Sequence, residues 1–258
     1  MPATFPSHAA AVLPLKLWRP RWFDGIALVA GSAAPDAGYL LVGLVPLPET
    51  HTVPAVLWFC LPVALLGCFV IRSAAPVVSA HLPAGGLFRL RDYGVLGIVR
   101  HPWYITVSSA LIGAVTHVAW DGFAHPPGNT HGWAVGLLPV LNTAGPFGLP
   151  WWRTLQFVSS AVGAIVVVNI GWHLGRTSAL RRWHGEPPAV LREPGWFWAS
   201  AAAVFVVCAA VSAFLPYAAS AHVTGVRLLY AAALGLLAGA SAAGISARRR
   251  RRISASRA

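Results

Sequence analysis

Charge is scarce in this chain. Lys, Arg, Asp and Glu make up only 10% of its 258 residues, where an ordinary soluble domain carries about 25%. Acids are scarcer still, seven against nineteen Lys and Arg. The three cysteines, Cys60, Cys68 and Cys208, all fall inside apolar stretches rather than in loops. A disulfide framework is therefore excluded, and they read as small core residues. The sequence has no Gly-rich phosphate loop, no nucleophile elbow and no CxxC pair.

What it has instead is apolar sequence: 57% of residues and a mean hydropathy of +0.64. These residues gather at 24–45, 53–71, 104–125, 154–175, 196–217 and 223–247. Each stretch reaches roughly the 20 residues a helix needs to cross a bilayer. The expected fold is thus all-α, a polytopic bundle of about six spans in one integral membrane domain, 1–258. Within it, 1–125 bears the polar residues, 153–247 reads as scaffold and 248–258 as a basic cytoplasmic tail. Spacings of Gly171 to Gly175 and Gly235 to Gly239 suit close helix approach. The first stretch is interrupted by Gly31, Pro35, Asp36 and Gly38. Backbone freed by such a break must be satisfied inside protein or a wet cavity.

Basic residues set the orientation. With both termini cytoplasmic, seventeen of the nineteen Lys and Arg residues fall inside, and only Arg153 and Arg227 outside. The arginine run at 248–252 begins where the last apolar stretch stops. That position suits a stop-transfer anchor or anionic headgroups, so the bilayer is the expected partner and nucleic acid is not. A signal peptide is not expected, since the apolar run at 9–15 precedes the N-terminal basic residues. The loop at 126–152, carrying Trp133, Trp151 and Trp152, is apolar enough to lie in the interface and roof what is beneath it.

An ionised Asp at the centre of a span costs about 2.5–3.5 kcal/mol, so the two acids inside spans here, Asp36 and Asp121, need reasons. Asp121 has His117 and His125 four residues to either side. Four residues turn a helix about 400°, so the three side chains share one face within about 80°. His117 and Asp121 can then grip one metal ion, leaving a carboxylate oxygen free to bridge toward another. A plain charge-neutralising Asp–His pair is the alternative reading. Asp36 and His51 have depths compatible with the same outward-facing cluster, whereas His8 joins it only if 4–17 dips back into the bundle. Gln156 and Ser159, on the fourth stretch, either support the ligands from behind or bond helix to helix.

The segments TFPSHAAAVLPL around His8, GSAAPD ending at Asp36, His51-Thr52 and IGAVTH through DGFAH, 112–125, resemble the DUF4184 family of bacterial membrane proteins. That family is similar to predicted membrane-bound metal-dependent hydrolases, and distantly to the zinc phospholipase C and S1/P1 nuclease group. The group's order of zinc ligands, His, Asp, His, then His-x-x-x-Asp, is reproduced by His8, Asp36, His51, His117 and Asp121. Its N-terminal Trp ligand and later His…His-x-x-x-Glu set have no clear counterparts. The resemblance therefore implies one or two divalent ions, zinc above all, and a hydrolase of the phosphoesterase type in a bacterial inner membrane. Its substrate would be a phosphoester or a lipid-linked compound reached from the outer face. Asp121 and His125 are the candidates for acid–base work. Intramembrane Asp and His also mark transporters and proton relays, and a metal can simply lock a bundle; both readings stand beside the enzyme.

Overall fold

A computed structural model describes residues 7–128 and 131–255, with side chains described up to 250 and at 254. Thr4, Phe5 and Pro6 of the expected N-terminal segment, Asn129, Arg257 and the side chains of Arg251 and Arg252 lie outside the described residues. The described chain is helical throughout, and its β-structure is one isolated bridge between Ala144 and Pro150. In chain order the helices are α1 (Ala9–Trp18), α2 (Gly25–Ala33), α3 (Val53–His81), α4 (Trp103–Ala124), α5 (Trp133–Leu137), α6 (Trp151–Arg176), α7 (Ala179–His184), α8 (Pro194–Phe214) and α9 (Ala221–Ala255). A 3₁₀ turn, Pro35–Leu40, follows α2.

Among the described residues, four helices are long and apolar enough to cross a membrane: α3, α6, α8 over Pro194–Ser212 and α9 over Ala221–Arg250. α4 has the length, 22 residues, but its Ser, Thr, His and Asp side chains dilute its apolar character. The stretch at 24–45 is not one helix. α2 gives way at Pro35 to the tighter turn, because proline lacks the N–H that would continue the α-helical ladder.

The chain divides into two compact units. The first comprises residues 1–68, 101–170 and 219–226. At its centre α2 and α4 cross on glycine: a β-carbon on Gly31 would strike the Ala110 carbonyl, and one on Gly113 would strike that of Leu28. The crossing is locked by Asp24, which caps α2 by accepting from the Ile26 and Ala27 amides at 3.1 and 3.4 Å. Asp24 also accepts a hydrogen bond from Thr106 Oγ1 at 2.7 Å, and its own amide donates to Ser109 Oγ at 3.0 Å. This buried acid is structural, an N-cap with its second oxygen satisfied across the crossing. α1 packs against α2 and α4. Ser7, just before it, donates to the Ser160 carbonyl of α6 at 2.8 Å and fills the space left open by Gly163.

The second unit comprises 69–100, 171–218 and 227–258. Phe197 is fully buried there with Ala240 and Ala243, backed by Val77, Val78 and Leu236. Gly235 and Gly239 let α9 approach the Ala201 and Phe197 carbonyls of α8. Gly171 and Gly175 instead receive the loop at Leu87 and Phe88, so that pair of small residues admits irregular chain rather than a second helix. His81 is buried, stacked on Phe197, and accepts the Glu193 amide at 2.9 Å.

Candidate metal centre

Each functional side chain of the first unit is delivered by a different local device. α4 places His117 and Asp121 one above the other on its inner face, with His125 at its C-cap. The 3₁₀ turn carries Asp36. The turn before α3 carries His51, and His8 stands at the N-terminus of α1. All six are buried, His117 to 1% exposure. The close α2–α4 crossing does one thing more: it brings the Ser32 carbonyl to 2.6 Å from His117 Nδ1. A carbonyl can only accept, so Nδ1 holds the proton and Nε2 presents its lone pair to the interior.

Asp121 lies at the centre. Its Oδ1 is 3.6 Å from His8 Nε2 and 3.8 Å from His125 Nδ1; its Oδ2 is 3.3 Å from His117 Nε2 and 3.6 Å from His51 Nε2. Asp36 Oδ1 stands 3.3 Å from His51 Nε2 and 3.7 Å from His117 Nε2. The Nε2 atoms of His8 and His117 make no hydrogen bond although both are buried. Such orphans need an explanation. Spacings of 3.3–3.7 Å are long for charge-assisted hydrogen bonds, which close to about 2.7–2.9 Å. They match the edge of a zinc tetrahedron, about 3.3–3.4 Å for bonds of 2.0–2.1 Å. Donor types, orphaned lone pairs and spacing therefore all fit a divalent ion of the zinc kind.

His125 has a different environment. Its Nδ1 donates to the Asp121 backbone carbonyl at 3.2 Å, which leaves the lone pair on Nε2, facing the Gln156 amide at 3.5 Å. Gln156 thus touches the cluster through His125. Ser159 does not reach it; its hydroxyl accepts from Trp120 Nε1 at 3.1 Å and donates to the Gln156 carbonyl.

Two cavities adjoin these residues. One, of about 260 Å³, is mainly apolar and lies between α1, α4 and α6, lined by Ala11, Trp120, Val162 and Val166 and also by His8. The other, of about 330 Å³, is lined by Tyr39, Glu49, Thr50, His51 and His131. Glu49 and His131 were not singled out by sequence. Glu49 lies two residues before His51 in an exposed turn, and His131 sits in the 126–152 loop, where no helical period marks it. That loop comes down on α4 because Gly122 leaves room for the Trp133 ring.

Charge in this outer group is set by contact. Burial works against a proton on His51, but its bonds to Asp36 and Glu49 outweigh this and hold it up to about 9. The bond from His51 holds Glu49 down to about 2 against the opposing effect of burial. Burial first, then the neighbouring His51 charge, push His131 down to about 4.

The comparison of sequences agrees with the resemblance carried by these motifs. The chain belongs to the DUF4184 family, a domain of unknown function, whose family model matches residues 1–247. No curated protein and no solved structure matches the chain.

Proposed function

We propose that this member of the DUF4184 family is a metal-dependent hydrolase embedded in a bacterial plasma membrane, acting from the outer face on a phosphoester or lipid-linked substrate. The observation that carries this reading is the division of labour at Asp121. Its Oδ2 faces His117 and His51, which with Asp36 form one group of three donors, while Asp121 itself joins His8 and His117 in another. Its Oδ1 has His8 as the nearest donor, which leaves positions for water and substrate, as catalytic sites do. When bound, a divalent ion there supplies an activated water near neutral pH and polarises a substrate oxygen.

The chain's own groups do the rest. Ser32 fixes the tautomer and direction of His117, the residue common to the two groups of donors. His125 Nε2, steadied by the Gln156 amide, is the atom that takes a proton from the reacting water and returns it to the leaving group. The apolar groove beside His8 and the polar cavity at His51 support an amphiphilic substrate, its chain in the first and its headgroup in the second.

The same reading counts six spans, adding α4 and the broken 24–45 stretch to the four long helices, with both termini cytoplasmic. The partition of basic residues supports it. The segment around α1 then folds back into the bundle, which reconciles a cytoplasmic N-terminus with an outward-facing His8.

The deciding experiment is hydrolysis of a chromogenic phosphodiester and of phospholipid by zinc-loaded protein in detergent. Chelation should abolish turnover and zinc restore it. Asp121→Asn and His8→Ala should each lower kcat/KM by about a hundredfold or more, since even residues behind metal ligands cost 10–100-fold. Turnover that survives chelation would sink the proposal, and stoichiometric zinc with no phosphoester turnover would favour a metal that only locks the bundle.

A further inference from the structure

The polar cavity contains two donors that the hydrolase reading does not use, Glu49 and His131, beside His51, which it does. The His51 amide donates to Glu49 Oε1 at 3.2 Å and so holds the carboxylate beside the imidazole of the same residue. Oε1 then lies 3.5 Å from both His51 Nδ1 and His131 Nε2. His131 Nε2 is buried and makes no hydrogen bond. The His51 and His131 rings are 4.2 Å apart between centroids, and the three donor atoms lie within 4.8 Å of one another.

A merely structural Glu–His–His cluster would leave no buried nitrogen unsatisfied, yet His131 Nε2 is one. Two donor–donor spacings of 3.5 Å around an orphaned lone pair suit a shared cation instead. Access differs from the inner cluster as well. Glu49 is 41% exposed at its side chain, and the group lines a cavity of about 330 Å³.

We propose that Glu49 and His131, beside His51, form an outer divalent-cation site at the mouth of the cluster, where ions are captured before they pass inward. His51 is shared: Nε2 faces Asp36 and Asp121, and Nδ1 faces Glu49. A neutral ring has one lone pair, so it serves one ion at a time. Thr50 Oγ1 donates to the Pro35 carbonyl at 2.9 Å and therefore accepts from His51 Nδ1 at 3.2 Å. In that tautomer the lone pair belongs to the inner set, and the outer ion keeps only Glu49 and His131 with water. The outer ion is thus the weaker and faster-exchanging one. This ordering rests on the inner site proposed above; the outer donors themselves do not.

The test is zinc titration of the full-length, detergent-solubilised protein against a chromogenic chelator, repeated with cobalt(II) and its visible spectrum as a second readout. The wild type should show a tight class and a weak class. Glu49→Gln and His131→Gln, both at partly exposed positions, should keep the wild-type melting curve. Each should weaken the weak class at least about tenfold and keep the tight one. The proposal is overturned if the wild type lacks a weak class or if both variants titrate as wild type. It is equally overturned if they lose the tight class too, because Glu49 and His131 would then only position His51. A weak class that depends on both residues in a protein without any tight class would uphold the outer site and remove the inner one.

Discussion

His8 lies stacked on His117, ring centroids 3.7 Å apart and planes 19° from parallel. Their Nε2 atoms address different oxygens of the same carboxylate, Oδ1 and Oδ2 of Asp121. The stack joins the start of α1 to the middle of α4, so the N-terminal segment is part of the centre. Both nitrogens are buried without a hydrogen bond, and the proposed metal centre would use both lone pairs.

Metal content should report this coupling directly. His8→Ala is expected to remove one class of ion and leave the Asp36–His51–His117 group loaded, whereas His117→Ala and Asp121→Ala each remove most of the bound metal. The double variant should lose little more than either single one, because residues acting as a unit are not additive. Metal-to-protein ratios in matched detergent preparations measure all four, and additive losses would assign the two residues separate roles.

The charge state of His51 predicts opposite pH trends for the metal-free and metal-bound protein. Its folded value of about 9 lies above the ordinary 6.5. The stability from its pairing with Asp36 and Glu49 is therefore complete below pH 6.5 and is lost as pH rises through 9. Metal must displace that proton, so zinc affinity should rise over the same window. Melting of the apo protein and competitive zinc titration between these limits should show crossing curves; parallel trends would contradict the assignment.

Gly113 tests whether the α2–α4 crossing builds the site. A β-carbon there meets the Leu28 carbonyl and, at 2.6 Å, the Ser32 amide. Gly113→Ala should destabilise the protein by about 1–3 kcal/mol through overpacking. It should also lower zinc affinity by moving the Ser32 carbonyl off His117, a change visible in thermal melts and zinc titration. A variant with unchanged melting would show that the crossing tolerates separation.

Topology is open to cysteine labelling once Cys60, Cys68 and Cys208 are replaced. A cysteine at Gly128 should react from outside, and cysteines at Arg182 and at an appended C-terminus only from the cytoplasm. Labelling of Gly128→Cys from the cytoplasmic side would invert the proposed orientation and place the His8 groove in the other leaflet.

Some of this site is written along the chain and some is not. His117, Asp121 and His125 announce themselves by helical spacing in an apolar stretch, where a carboxylate is costly. His8, Asp36 and His51 have no common period, and only their order, shared with a family, points to them. Glu49 and His131 have neither signal: an exposed turn and an irregular loop are where polar residues are unremarkable. Ser159, expected either to support the ligands or to bond helix to helix, accepts from Trp120 of α4. His81, outside the cluster, is buried against Phe197 and accepts the Glu193 amide, a role that no local pattern marks.

The sequence by itself determined that this is a helical chain with membrane-length apolar segments, and that His117 and Asp121 share one face of α4; His125, expected on that face too, lies one residue beyond the helix in extended backbone. Hydropathy and helical period are properties of consecutive residues, so they need no knowledge of what lies opposite. Only the tertiary structure decided which oxygen of Asp121 meets which histidine, which nitrogen of His117 holds its proton, and that Glu49 and His131 stand beside His51. Those outcomes depend on distances of a few tenths of an ångström between segments remote in the chain. The closeness of α2 and α4 is set by the absent side chains of Gly31 and Gly113 and by the carbonyls that fill their places.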